Sequence, residues 1–273
     1  MEPLRLLVAY DGSEFSGFQV QPDRRTIQGE LERCLQRIGG EPVRVRGAGR
    51  TDAGVHALGQ VISLDGWDGP APDQLLRALA GGLPRDISVL DVQRGPVNFD
   101  ARRSALWRSY VYLIWNGSVR HPLYDRFLSH VPESIDVRAI GDALSVVEGA
   151  HDFSSFARVR SDQQPVRRVR RASVATDGSV IRITITADAF LHQMVRSIVG
   201  SALEVGTGRR SRAWMREVLL ARDRAAAGQV APAKGLTLVD VSYEQATWPR
   251  RPALTWPWSA ALGSSSEAVG GLA

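Results

Sequence analysis

Apolar and polar positions change period several times along this chain, and the changes mark out its elements. Leu4 to Tyr10 is an almost unbroken apolar run, which predicts a buried strand broken by Asp11-Gly12-Ser13. Ile27, Leu31, Cys34, Leu35 and Ile38 recur at helical spacing behind Thr26, a natural N-cap, and Gly39-Gly40 ends that helix. Short strands follow at Val43 to Arg46 and Gln60 to Leu64. Pro72 opens a helix carrying Leu75, Leu76 and Leu79, and Ile87 to Val92 is the next strand. The order β-α-β-β-α-β predicts a split, ferredoxin-like half with an antiparallel sheet.

The same order then returns. Leu106 to Trp115 alternates as a strand, and Val137 to Val147 reads as a helix. Arg170 to Thr176 and Ser179 to Ala187 flank Asp177-Gly178, the strongest hairpin turn in the sequence. Phe190 to Val205 carries a continuous apolar stripe from Leu191 to Leu203 and reads as one helix stopped by Gly206. An extra helix is predicted at Arg212 to Leu220 before a closing strand at Leu236 to Tyr243. The fold class predicted is α+β: two ferredoxin-like halves, 1–104 and 105–246, whose facing antiparallel sheets form a basic central cleft. Residues 247–273, rich in Pro, Ser, Gly and Trp, are expected to be a disordered tail, with packing of Trp248, Trp256 and Trp258 back on the body as the alternative.

Composition narrows the class. With 44% hydrophobic and 23% charged residues the chain is ordinary for a globular protein, and 273 residues suffice for two domains. No apolar run approaches a membrane span, and Met1-Glu2-Pro3-Leu4 lacks a signal-peptide layout, so a cytoplasmic protein is expected. One cysteine, Cys34, excludes an intramolecular disulfide and a Cys-based zinc site, and five scattered histidines make a metal centre improbable. The net charge of +5 comes with arginine clusters at Arg102-Arg103, Arg167 to Arg171 and Arg209 to Arg212. Such clusters favour a polyanion, nucleic acid first, although an arginine-rich composition alone also produces them.

The chemistry concentrates between Arg46 and Val61. Gly47, Gly49, Gly54 and Gly59 permit tight turns and close backbone approach. Asp52 is the one acid there, with Arg46, Arg50 and His56 around it. Cations beside a carboxylate favour its ionised form, which suits a nucleophile or an electrostatic stabiliser; a plain Asx turn with solvated arginines fits the spacing equally well. Tyr110 and Tyr112 share one face of their strand, either as a stacking platform for a base or as an aromatic core pair. Arg196 lies off the apolar stripe of its helix, able to reach an acid or simply solvated. His151-Asp152-Phe153-Ser154-Ser155-Phe156 is better read as Phe packing anchors than as a catalytic triad, because adjacent residues rarely form one. No phosphate-binding Gly-rich Lys motif occurs, and Gly47-x-Gly49 is too weak a pattern to argue for a dinucleotide.

Gly49-Arg50-Thr51-Asp52-Ala53-Gly54-Val55-His56-Ala57 resembles the signature of the tRNA pseudouridine synthase A (TruA) family. Ala9-Tyr10-Asp11-Gly12-Ser13, Arg108-x-Tyr110-x-Tyr112, Phe190-Leu191-x-x-Met194-Val195-Arg196 and Ala231-Pro232-Ala233-x-Gly235-Leu236 are similar to further blocks of it, in order, over nearly the whole body. The resemblance implies a cofactor-free and metal-free homodimeric enzyme that turns uridine into pseudouridine at positions 38 to 40 of the tRNA anticodon stem-loop. It implies Asp52 as nucleophile acting on a flipped base, Tyr110 stacking on that base and assisting the last proton removal, and Arg196 pairing with Asp52. Arg50 would fill the place the base leaves, with His56 beside it in binding the substrate. A non-catalytic RNA-binding protein is the alternative, and an Asp-dependent hydrolase ranks behind it because the loop offers no second carboxylate.

Overall fold

The computed structural model describes residues 2–159 and 164–244; the tail expected at 247–273 lies outside the described residues. The first half runs β1 (Leu4–Tyr10), α1 (Ile27–Gly39), β2 (Val45–Gly47), β3 (His56–Leu64), α2 (Pro72–Gly82) and β4 (Ile87–Arg94). The second runs β5 (Ala105–Trp115), β6 (Ser129–His130), α3 (Val137–Ser145), β7 (Gly149–Asp152), β8 (Val166–Asp177), β9 (Val180–Ala187), α4 (Met194–Gly206), α5 (Trp214–Ala221) and β10 (Leu236–Tyr243). Local signals place several boundaries. Thr26 accepts the Gly29 N–H at the start of α1, Gly40 closes it at φ 84°, and Asp136 caps α3 through Arg138 and Ala139. Gly178 turns the β8–β9 hairpin at φ +54°.

The sequence predicts two facing sheets; the structure has one. Ten strands form a single, mostly antiparallel sheet in the order β4-β1-β3-β10-β5-β9-β8-β7, with β2 added to β3 and β6 to β5. The two halves join where β10 runs parallel to β3, pairing Thr237 with His56 and Leu238 with Ala57. That seam joins the halves edge to edge, at the start of β3, while β2 pairs with the end of the same strand. Along β5, Tyr110, Tyr112 and Ile114 enter the main core beneath α1 to α4. Val111 and Leu113 point to the opposite face, where Leu128, Phe127 and Tyr124 cover them. Phe153 and Phe156 are fully buried, the packing role expected of them, and Ser155 donates its hydroxyl to the Val218 carbonyl.

Three boundaries move. β3 begins at His56, four residues earlier than the apolar pattern suggests, because pairing with β10 extends it. The predicted helix from Phe190 starts only at Met194: Gln193 is left-handed, at φ 62°, and breaks the stripe into a turn and a helix. β7 is an edge strand that the sequence reading misses, built from the start of the His151 to Phe156 motif. Cys34 is buried in the core as expected.

Helix α4 packs closely against the chain that returns towards β10. A Cβ built on Gly200 would stand 1.8 Å from the Gln229 carbonyl oxygen, a backbone atom that cannot rotate away. Gly200→Ala is therefore expected to destabilise the protein by about 2 kcal/mol through overpacking, read as a lower urea midpoint with an unchanged slope.

Candidate active site

The Asp52 loop is fixed from both sides. Ala48 N–H bonds to the Val61 carbonyl at 2.8 Å. The fully buried Gln60 side chain clamps Gly49 as a neighbouring strand would, donating to its carbonyl at 2.7 Å and accepting its N–H at 3.3 Å. Thr51 meets the Tyr10 hydroxyl at 2.9 Å, and its carbonyl accepts the Phe18 N–H at 3.0 Å. A turn from Asp52 to Val55 closes the loop, with Gly54 at φ +78°. Phe18 packs so closely on Gly47 that a Cβ there would stand 2.5 Å from its ring.

Arg108 ties this loop to the second half. Its guanidinium, only 7% exposed, donates through Nε and Nη2 to the Ala48 carbonyl at 3.1 and 3.0 Å. Nη1 reaches the Ala105 and Asp188 carbonyls at 3.1 and 2.6 Å, and Nη2 the Arg102 carbonyl at 2.5 Å. Burial pulls its pKa below the ordinary arginine value.

The acid itself meets an arginine and a histidine. Arg196, in the first turn of α4, donates from Nη1 to Asp52 Oδ2 at 3.0 Å and from Nε to the Ala231 carbonyl at 2.7 Å. The Ala231 N–H returns to the Arg196 carbonyl at 3.1 Å. His192, in the turn before Gln193, places Nε2 3.5 Å from Asp52 Oδ1. The Asp52 side chain is 24% exposed and the Arg196 side chain 15%, so the ion pair lies in a recess that water still reaches. Such a carboxylate can act as a nucleophile or stabilise developing positive charge.

Tyr110 lies under the loop. Its hydroxyl would stand 3.3 Å from a Cβ on Gly49, and its ring meets Phe190 edge-on with centroids 5.1 Å apart. Burial, with Tyr10 and Asp52 nearby, pushes its pKa far above the usual tyrosine value. Tyr112 is fully buried and donates its hydroxyl to the Pro232 carbonyl at 3.0 Å, so it is a core residue that holds the 231–235 turn.

Of the residues singled out from sequence, the structure brings Asp52, Arg196 and Tyr110 together. Arg50 is exposed on the loop. Arg46 turns away to Asp65 at 2.5 Å. His56 is not brought to Asp52: it is 3% exposed at the start of β3, with Nδ1 3.1 Å from both the Gly12 nitrogen and Asp11 Oδ1 and its ring against Phe127. Sequence reasoning passed over Gln60, Arg108 and His192. Arg108 stood in the quoted motif, and its unusual place in an apolar strand was a signal. His192 carried none, because only the left-handed turn at Gln193 directs it to the acid.

Among the described residues no cluster of three or more His, Cys, Asp or Glu could hold a metal ion, and no helix is long and apolar enough to cross a membrane.

Buried phenols make the loop's support sensitive to alkali. Burial raises Tyr10 to about 12, against partial compensation from its hydrogen bonds to Thr51 and Gln60. A folded pKa above the unfolded one means that the stabilisation is complete below about pH 10 and is lost as pH rises through 12. Tyr10→Phe is expected to cost about 1 kcal/mol at pH 8 and to flatten the alkaline fall in stability, measured by urea unfolding at pH 8 and above 10.

The profile of a family described as tRNA pseudouridine synthase matches residues 6–102 and 143–244. The chain is 42% identical over 243 residues to tRNA pseudouridine synthase A of Geobacillus kaustophilus, covering 88% of this chain and 94% of that one. It is 43% identical over 244 residues to the protein of that name in Brevibacillus brevis, covering 89% and 100%. It is 44% identical over 241 residues to the one in Aeromonas hydrophila, covering 88% and 90%. With a recess built on Asp52 and relatives that align along nearly their whole length, this chain belongs to the tRNA pseudouridine synthase family.

Proposed function

We propose that this protein isomerises uridine to pseudouridine in tRNA, with Asp52 as the nucleophile. The observation that carries the reading is the contact of Arg196 Nη1 with Asp52 Oδ2 at 3.0 Å, between residues 144 positions apart, in a chain of this family. Uridine and pseudouridine are isomers, so the reaction needs no net redox change and no co-substrate. The target nucleoside leaves its stack to reach the recess. Asp52 assists cleavage of the bond between N1 and the ribose, by attack on C1′ or on the base, and the uracil rejoins through C5. Arg196 aims the carboxylate, Tyr110 meets the flipped base, and exposed Arg50 occupies the gap left in the stem. His56 supports binding from behind, by fixing Asp11 and the entry to β3. The substrate site is at positions 38 to 40 of the anticodon stem-loop, bound by a cytoplasmic homodimer.

The architecture fits this reading. Strand orders β4-β1-β3-β2 and β10-β5-β9-β8 are the same when each half is numbered by itself. They support two ferredoxin-like halves, 1–104 and 105–246, with β6, β7 and α5 as additions to the second. The arginines at Arg50, Arg102 and Arg103 are exposed and would line the approach to a basic cleft.

Asp52→Ala is expected to abolish pseudouridine formation in tRNA while tRNA binding persists, measured by modification mapping and filter binding on the same preparations. Modification that survives the substitution removes the nucleophile assignment. Arg196→Lys cannot hold Ala231 and Asp52 together, so it is expected to slow single-turnover conversion roughly 100-fold with tRNA affinity within a few-fold, the scale seen for loss of one preorganised donor.

A further inference from the structure

We propose that His192 is the general base that removes the proton from C5 of the rearranged uracil. The inference rests on the isomerase reading above and deepens it. The chemistry requires such a group. Once C5 is bonded to C1′ it still carries its hydrogen, and N1 is doubly bonded to C6. The C5–H bond breaks and its electron pair forms the C5–C6 double bond. The pair of the N1–C6 double bond moves onto N1, and the proton passes to the base. N1 then takes a proton from the imidazolium or from solvent, so one proton leaves and one arrives, with no co-reactant.

Three groups stand near enough to be considered. Tyr110 is a poor acceptor, because a proton acceptor must first be the phenolate and burial opposes that form. Asp52 attacking at C1′ is displaced as C5 bonds there, and its freed carboxylate still has Oδ2 engaged by Arg196 Nη1 at 3.0 Å. His192 remains. Its Nε2 stands 3.5 Å from Asp52 Oδ1, longer than the 2.7–2.9 Å of a charge-assisted hydrogen bond, so the acid does not hold that nitrogen as a donor. Its side chain is 54% exposed, against 15% for Arg196, which leaves the ring free to turn towards a bound nucleoside.

The backbone supports the assignment. Gln193 is left-handed at φ 62° without being glycine, a conformation that carries strain. Helical geometry at Gln193 would carry His192 back along the α4 axis; the left-handed turn carries it across to the acid instead. The His192 carbonyl accepts the Arg158 N–H at 3.4 Å, and the Leu191 carbonyl accepts the Met194 N–H at 3.1 Å, which fixes the turn on both sides. Among the described residues, Asp52 of the loop faces the imidazole, and Arg196 of α4 holds the other oxygen of that acid. A neutral imidazole accepts a proton at physiological pH, and the carboxylate stabilises the imidazolium that results.

The test uses full-length protein and a substrate tRNA transcript carrying either hydrogen or deuterium at uridine C5. His192→Gln is expected to slow single-turnover pseudouridine formation about 100-fold, with tRNA affinity unchanged, and to expose a primary deuterium isotope effect that the unsubstituted protein lacks. His192→Ala should regain rate with added imidazole. A His192→Gln rate within a few-fold of the parent overturns the proposal, and so does slowing without an isotope effect, which would make His192 a positioning residue for Asp52. If the parent protein makes no pseudouridine, or Asp52→Ala still makes it, the isomerase mechanism fails instead; a dead Asp52→Ala beside a normal His192→Gln removes only the base.

Discussion

A buried guanidinium holds the site together. Arg108 hydrogen-bonds to the carbonyls of Ala48, Arg102, Ala105 and Asp188, and it belongs to the same strand as Tyr110. Taking a charge out of water costs several kcal/mol unless every donor finds an acceptor. Here the acceptors are supplied by three separate segments: the strand-to-loop passage before Asp52, the link between the halves, and the turn before His192. Any one of them out of place strands a donor, at about 1–3 kcal/mol each. The geometry of the site is thus part of the condition for folding, and the loop does not depend on substrate to find its place.

The parallel seam explains why the acid and its arginine meet at all. Two parallel neighbours begin at the same end of the sheet, so the turns that precede them lie side by side. The turn before β3 carries Asp52, and the turn before β10 carries Ala231 and Pro232. A Cβ on Gly54 would stand 3.2 Å from Ala233, which shows how closely the two turns pack. From there Ala231 holds the Nε of Arg196, and α4 needs only its first turn to reach the acid. An antiparallel join of the halves would have sent these turns to opposite ends.

Much of this was legible in the sequence. Each half shows its strand and helix order in periodicity, and Asp177-Gly178 and Thr26 mark a turn and a cap by chemistry that depends on few neighbours. The acid loop was legible because glycines cluster around a lone carboxylate. What stayed hidden depends on tertiary pairing. No residue of β10 announces β3 as its partner, so one sheet was read as two. The stripe from Leu191 to Leu203 reads as one helix because apolar spacing does not register a single left-handed residue at Gln193. His56 looked like a loop residue because its strand partner, Thr237, comes from the other half of the chain. Tyr110 and Tyr112 looked equivalent, and only the loop packed over Tyr110 distinguishes them.

Arg196 shows how a planar cation turns packing into direction. Its Nε is committed to a backbone carbonyl of the returning chain and its Nη1 to Asp52. Two bonds from one rigid plane fix the line along which Oδ2 is held, which an ammonium on a flexible stem could not do. The other oxygen, Oδ1, faces the exposed side where His192 stands. A carboxylate held in this way presents one constrained and one available oxygen to whatever enters the recess. Because a misplacement of about 1 Å can cost 100-fold in rate, the anchoring of Arg196 to Ala231 matters to the chemistry although Ala231 touches no reacting atom.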